Sequence, residues 1–296
     1  MKKNLVPISI CLAAYNGEQY IREAIDSVLA QTLGEFELII SDDGSSDGTE
    51  AICREYASKD PRVLYIRHNV NRGGFWNNNF LLSVCQGEYT TFLSQDDVML
   101  PSFLETTYKY AVIHNQCILI ACDIELIDKD GQTTGIAYLD KIREYTPWHV
   151  RMHEFFRDPR SHVAMCLYGL FKSSHLKSIY DTMPWPKTLV KASEVPLLCR
   201  IAVTGEVVSI PTVLRKYRRH DQSAYHREMN MLRSKPEILR RFILLKHSYK
   251  LRFDQFKVLI GSSCSWPRKL SILTKAYGSY LLIFLDRLVK LPKKFT

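Results

Sequence analysis

Two hydrophobic periods alternate along the first hundred residues. ISICLAA (8–14) is a short apolar, β-branched run of the kind that forms a buried strand. Residues 18–31 then place Ile21, Ala24, Ile25, Val28 and Leu29 at helical spacing. ELIIS (37–41) predicts a second strand, with Asp47 capping a helix over 48–58. VLYIR (63–67) predicts a third strand, and Gly73-Gly74 breaks the chain before a helix at about 76–86. EYTTFLS (88–94) predicts a fourth strand, and Pro101 opens a further helix. Strands that alternate with helices imply parallel pairing under helical layers, an α/β domain.

The pattern loosens beyond residue 115. CILIACDIELID (117–128) predicts a strand and KDG (129–131) a turn. Residues 148–157, 173–181 and 193–204 read as helices, and 207–210 and 213–219 as strands on either side of Pro211. From about 230 the pattern is helical, over 233–250, 252–261 and 267–290. The α/β pattern therefore ends near 228, with a helical region over 229–296.

The length of 296 residues and the 46% hydrophobic content suit one large domain with an appendage. The eight cysteines form no CxxC pair, so buried, reduced thiols are expected rather than a zinc site or a disulfide scaffold. The basic, apolar start MKKNLVPISICLAA reads as a buried strand, because Pro7 interrupts any signal-like run. No stretch reaches the ~18 apolar residues of a membrane span. The formal charge of +9 is concentrated: residues 211–296 hold 20 Lys and Arg against 5 Asp and Glu. Such a tail suits an anionic partner or a solvated helical face.

Ligands of open α/β sheets bind beyond the carboxyl ends of the strands. Three polar clusters fall at such ends: Tyr15-Asn16-Gly17, Asp42 to Asp47, and Gln95-Asp96-Asp97. With no GxGxxG and no GxxxxGK[ST], dinucleotide and P-loop readings lose their main support. Paired carboxylates at strand ends suit a hard divalent cation holding phosphates, or turn and cap chemistry.

At these residues the chain resembles the family 2 glycosyltransferases. The matching text is PISICLAAYNGEQYIREAIDSVLAQT (7–32), ELIISDDGSSDGT (37–49), NRGGFWNNNFLLSVCQGEYTTFLSQDDVMLP (71–101) and SEVPLLCRIAVTGEVVSIPTVLRKYRRHDQS (193–223). The resemblance implies a GT-A-type, Rossmann-like mixed sheet sandwiched by helices, over residues 1–228. It also implies inverting transfer of a sugar from a nucleotide-diphosphate sugar to an acceptor hydroxyl, with Mn2+ or Mg2+ as cofactor.

Residue roles follow from the same resemblance. Asp43 would accept the N3–H of uracil or thymine, supported by Asp42, with Ala14 and Tyr15 at the edge of the base pocket. A UDP- or dTDP-type donor is therefore expected. Arg72 lies in a segment similar to the family's N-x-G stretch, near the donor, and Trp76 is read mainly as packing. Asp96-Asp97 matches a DxD-type motif, with Asp97 as metal ligand and Asp96 on the ribose or a metal-bound water. Ser94 and Gln95 stand where an acidic residue often precedes. His220 would complete the metal site, and at most one of Arg218 and Arg219 would reach phosphate. Glu194 aligns with the acidic residue expected as general base, or is a helix cap. Asp123 is the alternative base or sugar contact, and Trp185 sits in a candidate acceptor loop.

The acceptor class expected is a glycan or lipid-linked hydroxyl in bacterial surface polysaccharide synthesis. Residues 267–290 align Leu270, Leu273, Tyr277, Leu281, Phe284 and Leu288 on one helical face flanked by lysines. That face fits an anionic membrane surface on the cytoplasmic side, packing on the core, or a homodimer contact. Two competing functions are a nucleotidyltransferase of nucleotide-sugar synthesis and a non-enzymatic anionic-polymer binder. The first lacks its glycine-rich basic loop here. The second has only the basic tail, without a nucleic-acid motif, so no nucleic acid is expected.

Overall fold

A computed structural model of the chain describes residues 6–144, 162–182 and 194–221, with short pieces between 234 and 270. The first half builds four parallel strands: β1 (Ile8–Ala14), β2 (Phe36–Asp42), β3 (Val63–Arg67) and β4 (Tyr89–Ser94). Helices α1 (Ile21–Leu29), α2 (Thr49–Lys59) and α3 (Gly74–Val84) connect them. The strand alternation is visible in the packing. Ile8, Ile10, Leu12 and Ala14 face one apolar cluster, while Cys11 faces the other. On α1 the expected stripe buries Ile21, Ala24, Ile25 and Val28 against the first of these clusters. Burying each of the Ile and Val side chains among them is worth about 1.5–3 kcal/mol.

The second half adds β5 (Val98–Met99), α4 (Phe103–Ile113), β6 (Cys117–Ile127), β7 (Thr133–Ala137), β8 (Leu170–Lys172), α5 (Ser173–Thr182), α6 (Glu194–Thr204) and β9 (Glu206–Arg218). The sheet order is β3-β2-β1-β4-β8-β6-β9-β5, with β7 on β6. Strand β8 runs antiparallel to both β4 and β6, so the sheet is mixed. Strands β6 and β9 pair in parallel along nearly their whole length.

Three strands lack a signal in the pattern. β5 and β8 are two and three residues long, too short to display a period. β7 is mostly exposed and contains Gly135. The two strands expected around Pro211 are one, β9. Its register against β6 jumps from Ile210 to Val213, so Pro211, which has no N–H to give, sits in a bulge. The expected helix 148–157 and most of the helices beyond 229 lie outside the described residues, as does the 228/229 boundary. The seven described cysteines are buried thiols, none of them joined in a disulfide.

Candidate functional site

The register of the sheet brings the three polar clusters together. Ala14 pairs with Asp42, and Ala13 with Ser94, so the chain segments after β1, β2 and β4 leave one edge side by side. Asn16 adopts a left-handed conformation with φ 48°. Its N–H donates to Ser45 Oγ (2.9 Å), and its Oδ1 accepts from Ser46 N–H (2.8 Å). Gly17 N–H donates to Thr49 Oγ1 (2.8 Å). On the other side, Gln95 Oε1 accepts the Tyr15 N–H (2.7 Å), and Gln95 Nε2 donates to the Tyr15 carbonyl (3.1 Å).

The adjacent carboxylates Asp42 and Asp43 have different tasks. Asp42 Oδ1 accepts the Ser45 N–H (2.8 Å) and hydroxyl (2.6 Å), while Oδ2 accepts the Tyr65 hydroxyl (2.7 Å). This is turn chemistry at a fully buried residue. Burial and the Asp42 charge together push the Tyr65 phenol far up. Asp43 reaches across to the loop before α3: Oδ1 accepts Arg72 N–H (3.0 Å) and Oδ2 accepts Gly73 N–H (2.7 Å). Gly73, at φ 93°, supplies a backbone conformation that side-chain-bearing residues rarely adopt. The Arg72 guanidinium lies 4.4 Å from the Trp76 ring centroid, and Trp76 stacks on Phe80.

The turn after β4 divides its two aspartates. Asp96 Oδ2 meets His220 Nε2 at 2.8 Å, at 19% side-chain exposure for the aspartate and 9% for the histidine. Tyr20 packs on His220 with centroids 5.0 Å apart. Asp97 turns inward. Expected as the metal ligand, it is only 2% exposed. Its Oδ1 accepts the Arg218 N–H (2.9 Å), and its Oδ2 is buried without a hydrogen-bond partner among the described residues. Burial and the neighbouring Asp96 charge push the Asp97 carboxyl well up, against the pull of the Arg218 N–H and the Arg215 charge. The carboxylate beside His220 is therefore that of Asp96, because successive side chains of a tight turn face different ways.

Arg218 holds this corner together. Its Nε donates to the Asp96 carbonyl (3.0 Å), Nη2 pairs with Glu23, and the guanidinium lies 4.7 Å from the Tyr20 ring centroid. Arg219 is exposed. Arg215 is buried, donating to the Phe92 carbonyl (2.7 Å) and Thr91 Oγ1 (2.7 Å) with its charge 4.3 Å from the Phe103 ring centroid. Burial pulls its guanidinium down to about 10.

Asp123 requires a correction. It is 4% exposed, its Oδ1 accepts the Leu139 N–H (2.8 Å), and Arg143 Nη2 donates to both of its oxygens at 2.8 and 2.6 Å. Both oxygens are committed inside the protein, so Asp123 is neither a base nor a sugar contact. Its partner lies 20 residues further on, in a stretch with no motif. Glu194 is the first residue of α6, and its side chain and the whole of Trp185 lie outside the described residues. Gln95 and Tyr20 complete the corner without having been assigned a role, and Arg218, expected as one of two possible phosphate contacts, is committed to Asp96, Glu23 and Tyr20. For Arg218 the visible signal is the YRRH run; for Gln95 it is its place beside the two aspartates.

Among the described residues, no group of three or more His, Cys, Asp or Glu side chains could hold a metal ion. Asp96 and His220 are a two-donor set, which suits Mg2+ or Mn2+ when phosphate oxygens and water fill the remaining positions.

A family model described as glycosyl transferase family 2 matches residues 9–177. The chain belongs to that family. The family 2 relatives include the uncharacterized glycosyltransferase MJ1057 of Methanocaldococcus jannaschii, 27% identical over 82% of this chain and 79% of that protein. Glycosyltransferase GlyA of Streptococcus pneumoniae is 31% identical over 46% of this chain. The family 2 chain described here spans 20% of the length of GlyA and 42% of that of a Rickettsia typhi glycosyltransferase. Among solved structures it shares its fold with S. aureus TarS 1–349 in complex with UDP-GlcNAc (TM-score 0.68, 16% identity, 93% of this chain and 72% of that one). It also resembles the mannosyltransferase PcManGT from Pyrobaculum calidifontis in complex with GDP-Man and Mn2+ (TM-score 0.53, 16% identity, 94% and 80%). The likeness to TarS supports the GT-A-type fold expected from the sequence.

Proposed function

We propose that this chain is an inverting glycosyltransferase. It moves a sugar from a UDP- or dTDP-type donor to a hydroxyl of a glycan or lipid-linked acceptor in bacterial surface polysaccharide synthesis. The observation that carries the reading is the convergence of Asp43, Tyr15 and the Asp96–His220 pair at one sheet edge. The base end of the donor lies along Ala14, Tyr15 and Asp43. Asp43 Oδ2 accepts both the Arg72 and Gly73 N–H groups, while Oδ1 accepts only that of Arg72 and keeps a further lone pair for a base N–H. The exposed Arg72 lies beside that pocket.

Asp96 and His220 would hold the divalent ion. Bound there, the ion would neutralise charge gathering on the departing nucleoside diphosphate. Asp97 supports this turn from within, tied to the Arg218 backbone. Glu194, at the start of α6, takes the proton of the acceptor hydroxyl as that oxygen attacks the anomeric carbon. The donor seen in TarS is UDP-GlcNAc and that in PcManGT is GDP-Man, which supports a nucleotide-diphosphate sugar here. The basic region beyond 229 holds the enzyme to an anionic membrane surface where a lipid-linked acceptor is presented; no helix of the described residues is long and apolar enough to cross a membrane. Titration of the full chain with UDP, dTDP and GDP, with and without Mn2+, tests the donor reading. Metal-dependent binding of a pyrimidine diphosphate is the expected result, and binding of none of the three would overturn it.

A further inference from the structure

The ladder between β1 and β4 ends at Ala13 and Ser94. Two residues beyond Ala13, the Tyr15 N–H and carbonyl have left the sheet, and at that point the chain turns to become the base-binding loop. The side chain of Gln95 takes over the ladder's work. Its amide is both acceptor and donor, and it uses the two functions on the two backbone groups of the same residue, at 2.7 and 3.1 Å. A second observation agrees. A Cβ on Gly17 would lie 2.4 Å from Gln95 Oε1, so the loop is shaped to receive this amide. On its far side the loop is held by Ser45, Ser46 and Thr49. The stretch 15–17 is thus gripped between β2's loop and a single side chain that immediately precedes Asp96.

We infer that Gln95 is a positioning residue for donor binding: it presets the Tyr15 edge of the base pocket, and it does so from the turn that carries the phosphate end. This deepens the nucleotide-sugar reading and rests on it. The chemistry demands an amide. A carboxylate of the same shape accepts from the Tyr15 N–H but turns a second acceptor against the Tyr15 carbonyl. A thioether of similar length does neither.

The test uses Gln95→Glu and Gln95→Met in the full chain. Hydrogen exchange of the ligand-free protein reads the clamp directly, and calorimetry with UDP plus Mn2+ and with pyrophosphate plus Mn2+ separates the two ends of the site. Gln95→Met is expected to speed exchange in residues 12–18 by about tenfold or more, with the other strands unchanged. Both variants are expected to weaken UDP by about tenfold, the scale of one net hydrogen bond. Pyrophosphate affinity should stay within about twofold of the wild-type value. Unchanged exchange over 12–18, faster exchange throughout the sheet, or equal losses for UDP and pyrophosphate would each overturn the inference. A wild-type protein that binds neither ligand would sink the donor reading instead, and the exchange result alone would then decide whether Gln95 holds the loop.

Discussion

Asp96 and His220 face each other at 2.8 Å across 124 residues of chain. One comes from the turn after β4 and the other from the residues just beyond β9, brought together because β9 returns through the sheet and pairs with β5. Asp96→Ala and His220→Ala are each expected to weaken Mn2+-dependent UDP binding by more than about tenfold, the lower end of what even outer-shell partners of a metal contribute. Calorimetry at saturating Mn2+ checks it. Full retention of the metal effect in both variants would move the ion elsewhere.

Glu194→Gln removes the proposed base and keeps the shape of the residue that opens α6. Donor binding should persist while kcat falls by about 10²–10⁴-fold. Steady-state kinetics with a transferred radiolabelled sugar separate the two quantities. A rise in KM at constant kcat would make Glu194 a binding or capping residue.

Asp123→Ala should act on stability instead. It leaves the Arg143 guanidinium buried without its carboxylate partner, a loss of about 3–5 kcal/mol for a broken buried pair. Replacing both residues together, Asp123→Leu with Arg143→Met, should recover much of that loss, because no lone charge remains. Urea unfolding of the three proteins is the measurement. Equal instability of the single and double variants would contradict the account.

Glu55 gives a pH signature away from the site. Hydrogen bonds from Arg22 and Lys59 hold its carboxyl down, to about 2 from an ordinary 4.5. The folded state therefore keeps the proton off more strongly than the unfolded chain does. The resulting stabilisation is present above the unfolded value and is lost as pH falls from about 4.5 towards 2. Glu55→Gln should flatten this part of the acid limb of a melting-temperature profile. The effect is small and fades at high salt, because the pair is exposed. An unchanged acid limb at low salt would contradict it.

The first half of the fold is legible in the sequence because its elements are long enough to show their period and its connections are local. The Ile21–Val28 stripe and the buried apolar run of β1 are read correctly for that reason. The division of labour within Asp42-Asp43 and Asp96-Asp97 is not legible. Neighbouring identical residues differ only in which way the turn faces them, and that is decided by Ser45, Tyr65 and the Arg218 backbone. Asp123 misleads for a related reason: an acidic residue in an apolar run looks functional until Arg143 is seen against it. β8 escapes notice because three residues carry no pattern, although Leu170 and Phe171 are buried.

That three-residue strand has a consequence for how the chain matures. On one side of it stand β4 and the parallel strands; on the other stand β6, β7 and β9. Leu170–Lys172 is the seam between them, and Gly169 must stay bare where a Cβ would lie 2.5 Å from the Ile120 carbonyl. A nascent chain leaving the ribosome therefore exposes two unfinished edges, on β4 and on β6, until residue 172 has emerged. The fold can close only after residue 172 has been made, and even then His220 has yet to arrive. During synthesis this protein is open to wrong strand pairing for as long as these three residues are missing.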